Sequence, residues 1–143
     1  MNARQQLLAA AMTVMLASCG GNSRPVEAAQ EIAETDATPS VIELTDMEMF
    51  PDNGRLVVID FNASWCIPCR RFTPTFHKVA QQYAGKADFV SVDVDKFPEL
   101  ARKFGVSSIP HITFLQPDGS TDAVVGTDHL ADFASLVEGH LPE

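Results

Sequence analysis

A short apolar run that leads directly into a pair of cysteines limits the possible folds of this chain more than any other feature. Residues 56–61 read LVVIDF, a continuous run of strand length rich in β-branched side chains, which is typical of a strand buried on both faces. Soon after it, Cys66 and Cys69 open a segment of helical periodicity that reaches about Tyr83. The two cysteines therefore stand where a buried strand turns into a helix.

The rest of the domain alternates strand and helix patterns in the same way. Thr45 and Glu48 have capping-box spacing and predict a short helix after a strand at 41–44. Further strands are predicted at 87–94, 112–115 and 123–125, with a turn at 116–119 before the last one. Helices are predicted at 98–104 and 129–140. This order predicts an α/β fold in which a central mixed sheet carries helices on both faces.

The N-terminal segment has the pattern of a lipoprotein signal peptide, which we assign to residues 1–18. Arg4 precedes an apolar run at 7–17, and 11 residues are too few to cross a bilayer, which takes about 20. The sequence LASCG at residues 16–20 resembles the bacterial lipobox, in which the cysteine, here Cys19, carries the lipid. The alternative is an ordinary signal peptide with an incidental cysteine. We expect attachment to the membrane by the lipid anchor only.

Residues 19–40 are rich in Ala, Glu, Ser, Thr and Pro and predict a flexible tether, which leaves 41–143 as the folded domain. The whole chain holds 10 Lys and Arg against 19 Asp and Glu, a formal net charge of −9. Such a charge repels phosphate backbones, so nucleic acid is excluded as an expected partner, and it also keeps an exported domain soluble.

The cysteine count points to redox chemistry. If Cys19 carries lipid, Cys66 and Cys69 are the only thiols left in an exported chain. A disulfide that closes so short a loop stabilises a fold little. A helix N-terminus lowers the pKa of a thiol, which favours Cys66 as the attacking nucleophile. Cys69, one helical turn later, can resolve the mixed disulfide.

Other uses of a Cys-x-x-Cys motif fit less well. Haem attachment requires His after the second cysteine, and Arg70 stands there. Structural zinc requires four ligands, and the histidines at 77, 111, 129 and 140 are scattered. We therefore predict no metal and no other cofactor. A metal-binding or apocytochrome-delivering chaperone remains the alternative function, and the role of His111, which follows Pro110, stays open.

Several separately spaced motifs resemble the thioredoxin family. They are VVIDFNASWCIPCR at 57–70, Pro74 inside the following helix, Ser108-Ile109-Pro110, and Gly126. The resemblance covers about 41–143 and implies a thioredoxin fold and a protein dithiol–disulfide oxidoreductase. It implies that Pro110 is cis and faces the disulfide, and that the backbone of Ile109 pairs with an extended substrate segment. It also implies that Trp65 both lines the substrate groove and shields the disulfide.

The resemblance further implies that Asp60 lies buried behind the cysteines and assists proton transfer at Cys69. Burial would raise the pKa of this carboxyl, which suits a general base near neutrality; a carboxylate at a strand end is the alternative. Ser91 stands where well-known members of the family have a lysine that pairs with this aspartate. Asn62 and Ile67 replace the usual Trp and Gly, which leaves the reduction potential and the choice of partner open.

Two features of the sequence give opposite indications about the direction of electron flow. Ile109 before the cis-proline resembles the reducing branch of the family, whereas an exported compartment suits an oxidase or isomerase equally well. We predict mainly reduction of protein disulfide substrates, with electrons supplied by a membrane thiol relay. The expected location is the bacterial cell envelope, on the periplasmic side.

Overall fold

The computed structural model describes residues 40–143. The predicted signal peptide at 1–18, the lipidation site Cys19 and nearly all of the predicted tether at 19–40 lie outside the described residues and stay predictions. Within 40–143, no helix combines the length and the apolar character that a membrane crossing requires.

Five strands and three α-helices follow one another in the predicted order, with a 3-10 turn at Met47–Met49 and another at Leu130–Asp132. The strands are β1 (Ile42–Glu43), β2 (Leu56–Asn62), β3 (Ala87–Asp93), β4 (His111–Leu115) and β5 (Thr121–Val125). The helices are α1 (Ile67–Gln82), α2 (Pro98–Lys103) and α3 (Phe133–His140).

The strands form one mixed sheet in the order β1-β3-β2-β4-β5, with β2 in the middle. β3 runs parallel to both β1 and β2. The β2–β3 pair is parallel because α1 carries the chain from the end of β2 back to the start of β3. β4 runs antiparallel to β2 and β5. The central position of β2 explains its continuous apolar sequence, since six of its seven residues are buried.

Helices cover both faces of this sheet, as predicted. On one face, α1 and α3 pack over Val58 of β2, Phe89 of β3 and Phe114 of β4, and the ring of Phe76 in α1 lies 5.5 Å from that of Phe89. On the other face, Leu100 of α2 packs with alternate β2 residues such as Ile59. Side chains alternate along a strand, so Asp60 and Asn62 share the α1 side with Val58.

Two local predictions are wrong. The capping residue of the first turn is Asp46, whose carboxylate accepts the N–H of Glu48 at 2.9 Å, so Thr45 and Glu48 do not form the predicted capping box. The last helix does not run unbroken over 129–140, because Asp132 caps a new helix by accepting the N–H of Ser135.

Candidate active site

Cys66 and Cys69 form a disulfide at the join between β2 and α1, with their Cα atoms 5.3 Å apart. Cys66 is the N-cap of α1, and its Sγ accepts the backbone N–H of Cys69 at 3.3 Å. The N–H of Cys66 donates to the carbonyl of Ala63 at 3.1 Å, which fixes the turn after the strand. Pro68 lies in the first turn of the helix, where its missing N–H leaves no bond unmade.

This placement has a direct chemical consequence. In the reduced protein, a thiolate at Cys66 receives the N–H of Cys69 and the positive end of the α1 dipole. Cys69 lies inside the first turn and is 1% exposed as a residue, against 4% for Cys66, so both cysteines are buried. The roles of Cys66 as nucleophile and Cys69 as resolving thiol stay predictions.

Two exposed apolar side chains flank the disulfide. Trp65 is 65% exposed and Ile67 is 58% exposed. The indole Nε1 of Trp65 donates to Asp95 Oδ2 at 2.8 Å, which anchors the ring against the loop after β3. Sequence reasoning missed Asp95, because this contact joins residues 30 positions apart.

The loop before β4 packs against the cysteine pair. The Ile109–Pro110 peptide bond is cis, as predicted, and the Ile109 side chain packs on the small cluster of Ala63, Cys66 and Cys69. The carbonyl of Pro110 accepts the N–H of Gly126 at 2.9 Å, which fixes the loop to the chain after β5. Gly126 has φ +81°, a conformation that favours glycine. Within residues 40–143, the N–H and C=O of Ile109 make no hydrogen bond.

A groove of about 360 Å³ opens between Trp65 and this loop. Its walls are mostly apolar, and two serines line its rim. The lining residues are Trp65, Val94, Ala101, Val106, Ser107, Ser108 and Ile109. The predicted substrate-binding residues Trp65 and Ile109 therefore line one groove, whereas Pro110 is buried beside it.

Asp60 lies in the middle of β2, opposite Ser91 of β3 and Ile112 of β4, and is 2% exposed. It is therefore not the strand-end carboxylate that was the alternative. Desolvation raises its pKa to about 7; a hydrogen bond from Asn62 acts in the opposite direction, and the charge of Glu43 adds to the rise. Its part in proton transfer stays a prediction.

Asn62 joins this carboxyl to its surroundings, which sequence reasoning did not foresee. Its Nδ2 donates to Ser91 Oγ at 3.0 Å, and it also lies 3.2 Å from the backbone carbonyl oxygen of Asp60 and 3.3 Å from Asp60 Oδ2, so its two N–H groups are shared among three acceptors. Asn62 and Ser91 also line a polar cleft of about 220 Å³ that reaches Cys69. The available signal was the spacing of two between Asp60 and Asn62, which places both on one face of a strand.

His111 is buried beside the active-site loop, and its ring meets the edge of Phe61 at a centroid distance of 5.9 Å. Neither ring nitrogen has a hydrogen-bond partner within residues 40–143, and burial lowers the pKa of this histidine. In the same range, no three His, Cys, Asp or Glu side chains are placed to hold a metal ion.

The comparison with known proteins decides the family. A family model for thioredoxin matches residues 40–139, well over half of the chain. The chain belongs to the thioredoxin family. It has the thioredoxin fold, and its Cys66–Cys69 pair makes it a thioredoxin-type dithiol–disulfide oxidoreductase.

Individual thioredoxins match over nearly their full length. Thioredoxin of Staphylococcus saprophyticus is 36% identical over 104 residues, which are 71% of this chain and 99% of that protein. Thioredoxin of Synechocystis is 35% identical over 105 residues, 73% of this chain and 98% of that one. Among solved structures, a thioredoxin from Nicotiana alata has a TM-score of 0.64 at 27% identity, over 72% of this chain and 94% of its own.

Proposed function

We propose that this thioredoxin acts outside the cytoplasm, held at the cell envelope by a lipid on Cys19, and mainly reduces disulfides in protein substrates. The observation that carries the thiol–disulfide exchange is the position of Cys66 Sγ at the N-cap of α1, where it accepts the N–H of Cys69. The lipobox-like residues 16–20 support the location. A membrane thiol relay would return electrons to the oxidised pair.

The first step is attack by the Cys66 thiolate on a substrate disulfide. A bond forms between Cys66 Sγ and one substrate sulfur, and the second substrate sulfur leaves as a thiolate that takes a proton from water. The groove beside Trp65 receives an extended substrate segment, and the free backbone groups of Ile109 add it as a strand.

The second step resolves the mixed disulfide. The Cys69 thiol gives its proton to the Asp60 carboxylate, and the resulting thiolate attacks Cys66 Sγ. The remaining substrate sulfur leaves as a thiolate and is protonated by water, while Asp60 later returns its proton to water. The substrate gains two electrons, and Cys66 and Cys69 return to the disulfide present in the structure.

Substitution of each cysteine tests these roles. Cys66→Ser should abolish reduction of insulin disulfides, because the nucleophile is lost. Cys69→Ser should keep the nucleophile but trap substrates as stable mixed disulfides, visible on non-reducing gels. Trapping by the Cys66 variant and not by the Cys69 variant would show that the roles are reversed.

The reduction potential tests the direction. A value near that of thioredoxin, about −270 mV, supports a reductase, and a value near about −120 mV supports an oxidase. Stoichiometric zinc or copper retained after purification would instead favour the metal-binding chaperone, and the same sample serves both measurements.

A further inference from the structure

The amide of Asn62 is the one side chain within residues 40–143 that hydrogen bonds the buried Asp60 carboxyl. The same amide group also contacts Ser91 Oγ, and Asn62 forms part of the wall of the cleft that reaches Cys69. The other carboxyl oxygen of Asp60, Oδ1, has no hydrogen-bond partner in that part of the chain. Asn62 thus lies between a nearly enclosed acid and an open polar cleft.

We propose that Asn62 is a positioning residue for the resolving step, holding the Asp60 carboxyl in place and connecting it with the cleft beside Cys69. The inference rests on the proposed role of Asp60 as the proton acceptor of Cys69. Asn62 makes no hydrogen bond to Cys66 or Cys69 in the described structure, and it acts through the carboxyl.

The chemistry of an amide suits this task. The Nδ2 donor stabilises the ionised carboxylate, whereas burial in the sheet favours the protonated acid. An amide carries no charge, so it offsets part of the desolvation without fixing Asp60 permanently in its ionised form. A carboxyl balanced in this way can both accept a proton from Cys69 and return it to water near neutral pH.

Charged groups on the neighbouring elements also face this region. Opposite Asp60 itself stand only uncharged side chains, Ser91 on β3 and Ile112 on β4. The ionisable side chains that line the cleft are Glu43, Arg70, Asp93 and Lys96. His111 pairs with Phe61, so its side chain lies on the opposite face of the sheet from Asp60. Burial in the sheet has the largest effect on the pKa of Asp60; the hydrogen bond from Asn62 opposes it and has a larger effect than the charge of Glu43.

The test compares Asn62→Leu with a matched control. Asn53 donates its Nδ2 to Asp88 Oδ2 at 2.7 Å near the opposite end of β2, so Asn53→Leu removes the same kind of hydrogen bond away from the disulfide. The pKa of Asp60 is followed by the carboxyl carbon resonance in NMR titrations. Ellman's reagent separates the two steps, because attack by Cys66 releases the first thionitrobenzoate and resolution by Cys69 releases the second.

Asn62→Leu should move the Asp60 titration up by about one pH unit, since a hydrogen bond to a charged group is lost. At pH 7 the ionised fraction then falls from about half to about a tenth, and resolution slows about fivefold. The rate should recover by about pH 9, and attack by Cys66 should not change. Asn53→Leu should leave the titration and both steps as in the wild type.

An Asp60 titration unchanged by Asn62→Leu, or an equal slowing of both steps, would overturn the proposal and leave Asn62 a structural residue. If Asn62→Leu does not fold, Asn62→Ala makes the same test, because it removes the amide donor without adding apolar volume. Asp60→Asn separates the two hypotheses. If this variant resolves mixed disulfides at the wild-type rate, the proposed role of Asp60 is wrong. If Asp60→Asn slows resolution and Asn62→Leu does not, only the proposed role of Asn62 is wrong.

Discussion

At the scale of the residue, Asp60 is where stability and function should oppose each other. Its folded pKa is about 7, well above an unfolded value of about 3.9. As pH rises, Asp60 therefore ionises first in the unfolded state. Its contribution to the free energy of unfolding is full below the unfolded pKa and is lost as pH rises from that value to the folded pKa. Above pH 7 the loss amounts to about 4 kcal/mol.

Asp60→Asn removes this ionisation. We expect the variant to exceed the wild type in its free energy of unfolding at neutral and alkaline pH. The advantage should shrink as pH falls toward the unfolded aspartate pKa and level off above about pH 7. Turnover should fall, because Cys69 loses its proton acceptor.

Denaturant unfolding and reductase assays across the pH range check both parts. A variant that is less stable than the wild type at pH 7 and equally active would contradict them. Asp60 would then be a hydrogen-bonded structural residue with no part in catalysis.

At the scale of the element, His140 ties the end of α3 to the β4–β5 hairpin. Its ring stacks on Phe114 with a centroid distance of 3.9 Å. Its Nδ1 lies 2.7 Å from the carbonyl of Leu136, and its Nε2 lies 3.0 Å from Asp122 Oδ2. That hydrogen bond lowers the pKa of Asp122, which is itself largely exposed.

Two substitutions at His140 should separate stacking from hydrogen bonding. His140→Ala loses both and should cost about 1–2 kcal/mol of unfolding free energy. His140→Phe keeps the aromatic stacking and should cost less, about 0.5–1 kcal/mol, because it loses only the hydrogen bonds to the Leu136 carbonyl and to the largely exposed Asp122. Thermal or denaturant melts check the order, and equal costs for the two variants would show that the stacking contributes nothing.

The elements also show what sequence patterns can predict. β2 and α1 were predicted to within a residue or so, since a strand buried on both faces and a long amphipathic helix have strong periodic signals. The N-cap of the first turn was misassigned because Thr45 and Asp46 are both good caps, and only the backbone geometry selects one.

The cysteine pair and the cis-proline could be located from local motifs. The role of Asn62 could not, because its contact with Ser91 depends on the register of β2 against β3. The anchoring of Trp65 by Asp95 depends in the same way on long-range packing. Contacts between strands and loops distant in sequence therefore carry the site details that motifs leave out.

At the scale of the whole molecule, the question is what would hold the proposed enzyme at a membrane. A net charge of −9 repels acidic lipid surfaces. The thioredoxin match begins at residue 40, where the predicted tether ends. The attachment that we propose is the lipid on Cys19, since acyl chains bind membranes independently of protein charge.

Cys19→Ala should therefore move the protein from the membrane fraction to the soluble fraction, while the purified variant reduces insulin disulfides at the wild-type rate. Cys66→Ser is the matched control, because it also removes one cysteine; it should stay with the membranes and lose activity. Stable anchoring takes more than one acyl chain, and all the chains of this anchor would be attached at Cys19. Loss of Cys19 should therefore release nearly all of the protein. A Cys19→Ala protein that still sediments with membranes after a salt wash would show that another part of the chain makes the attachment.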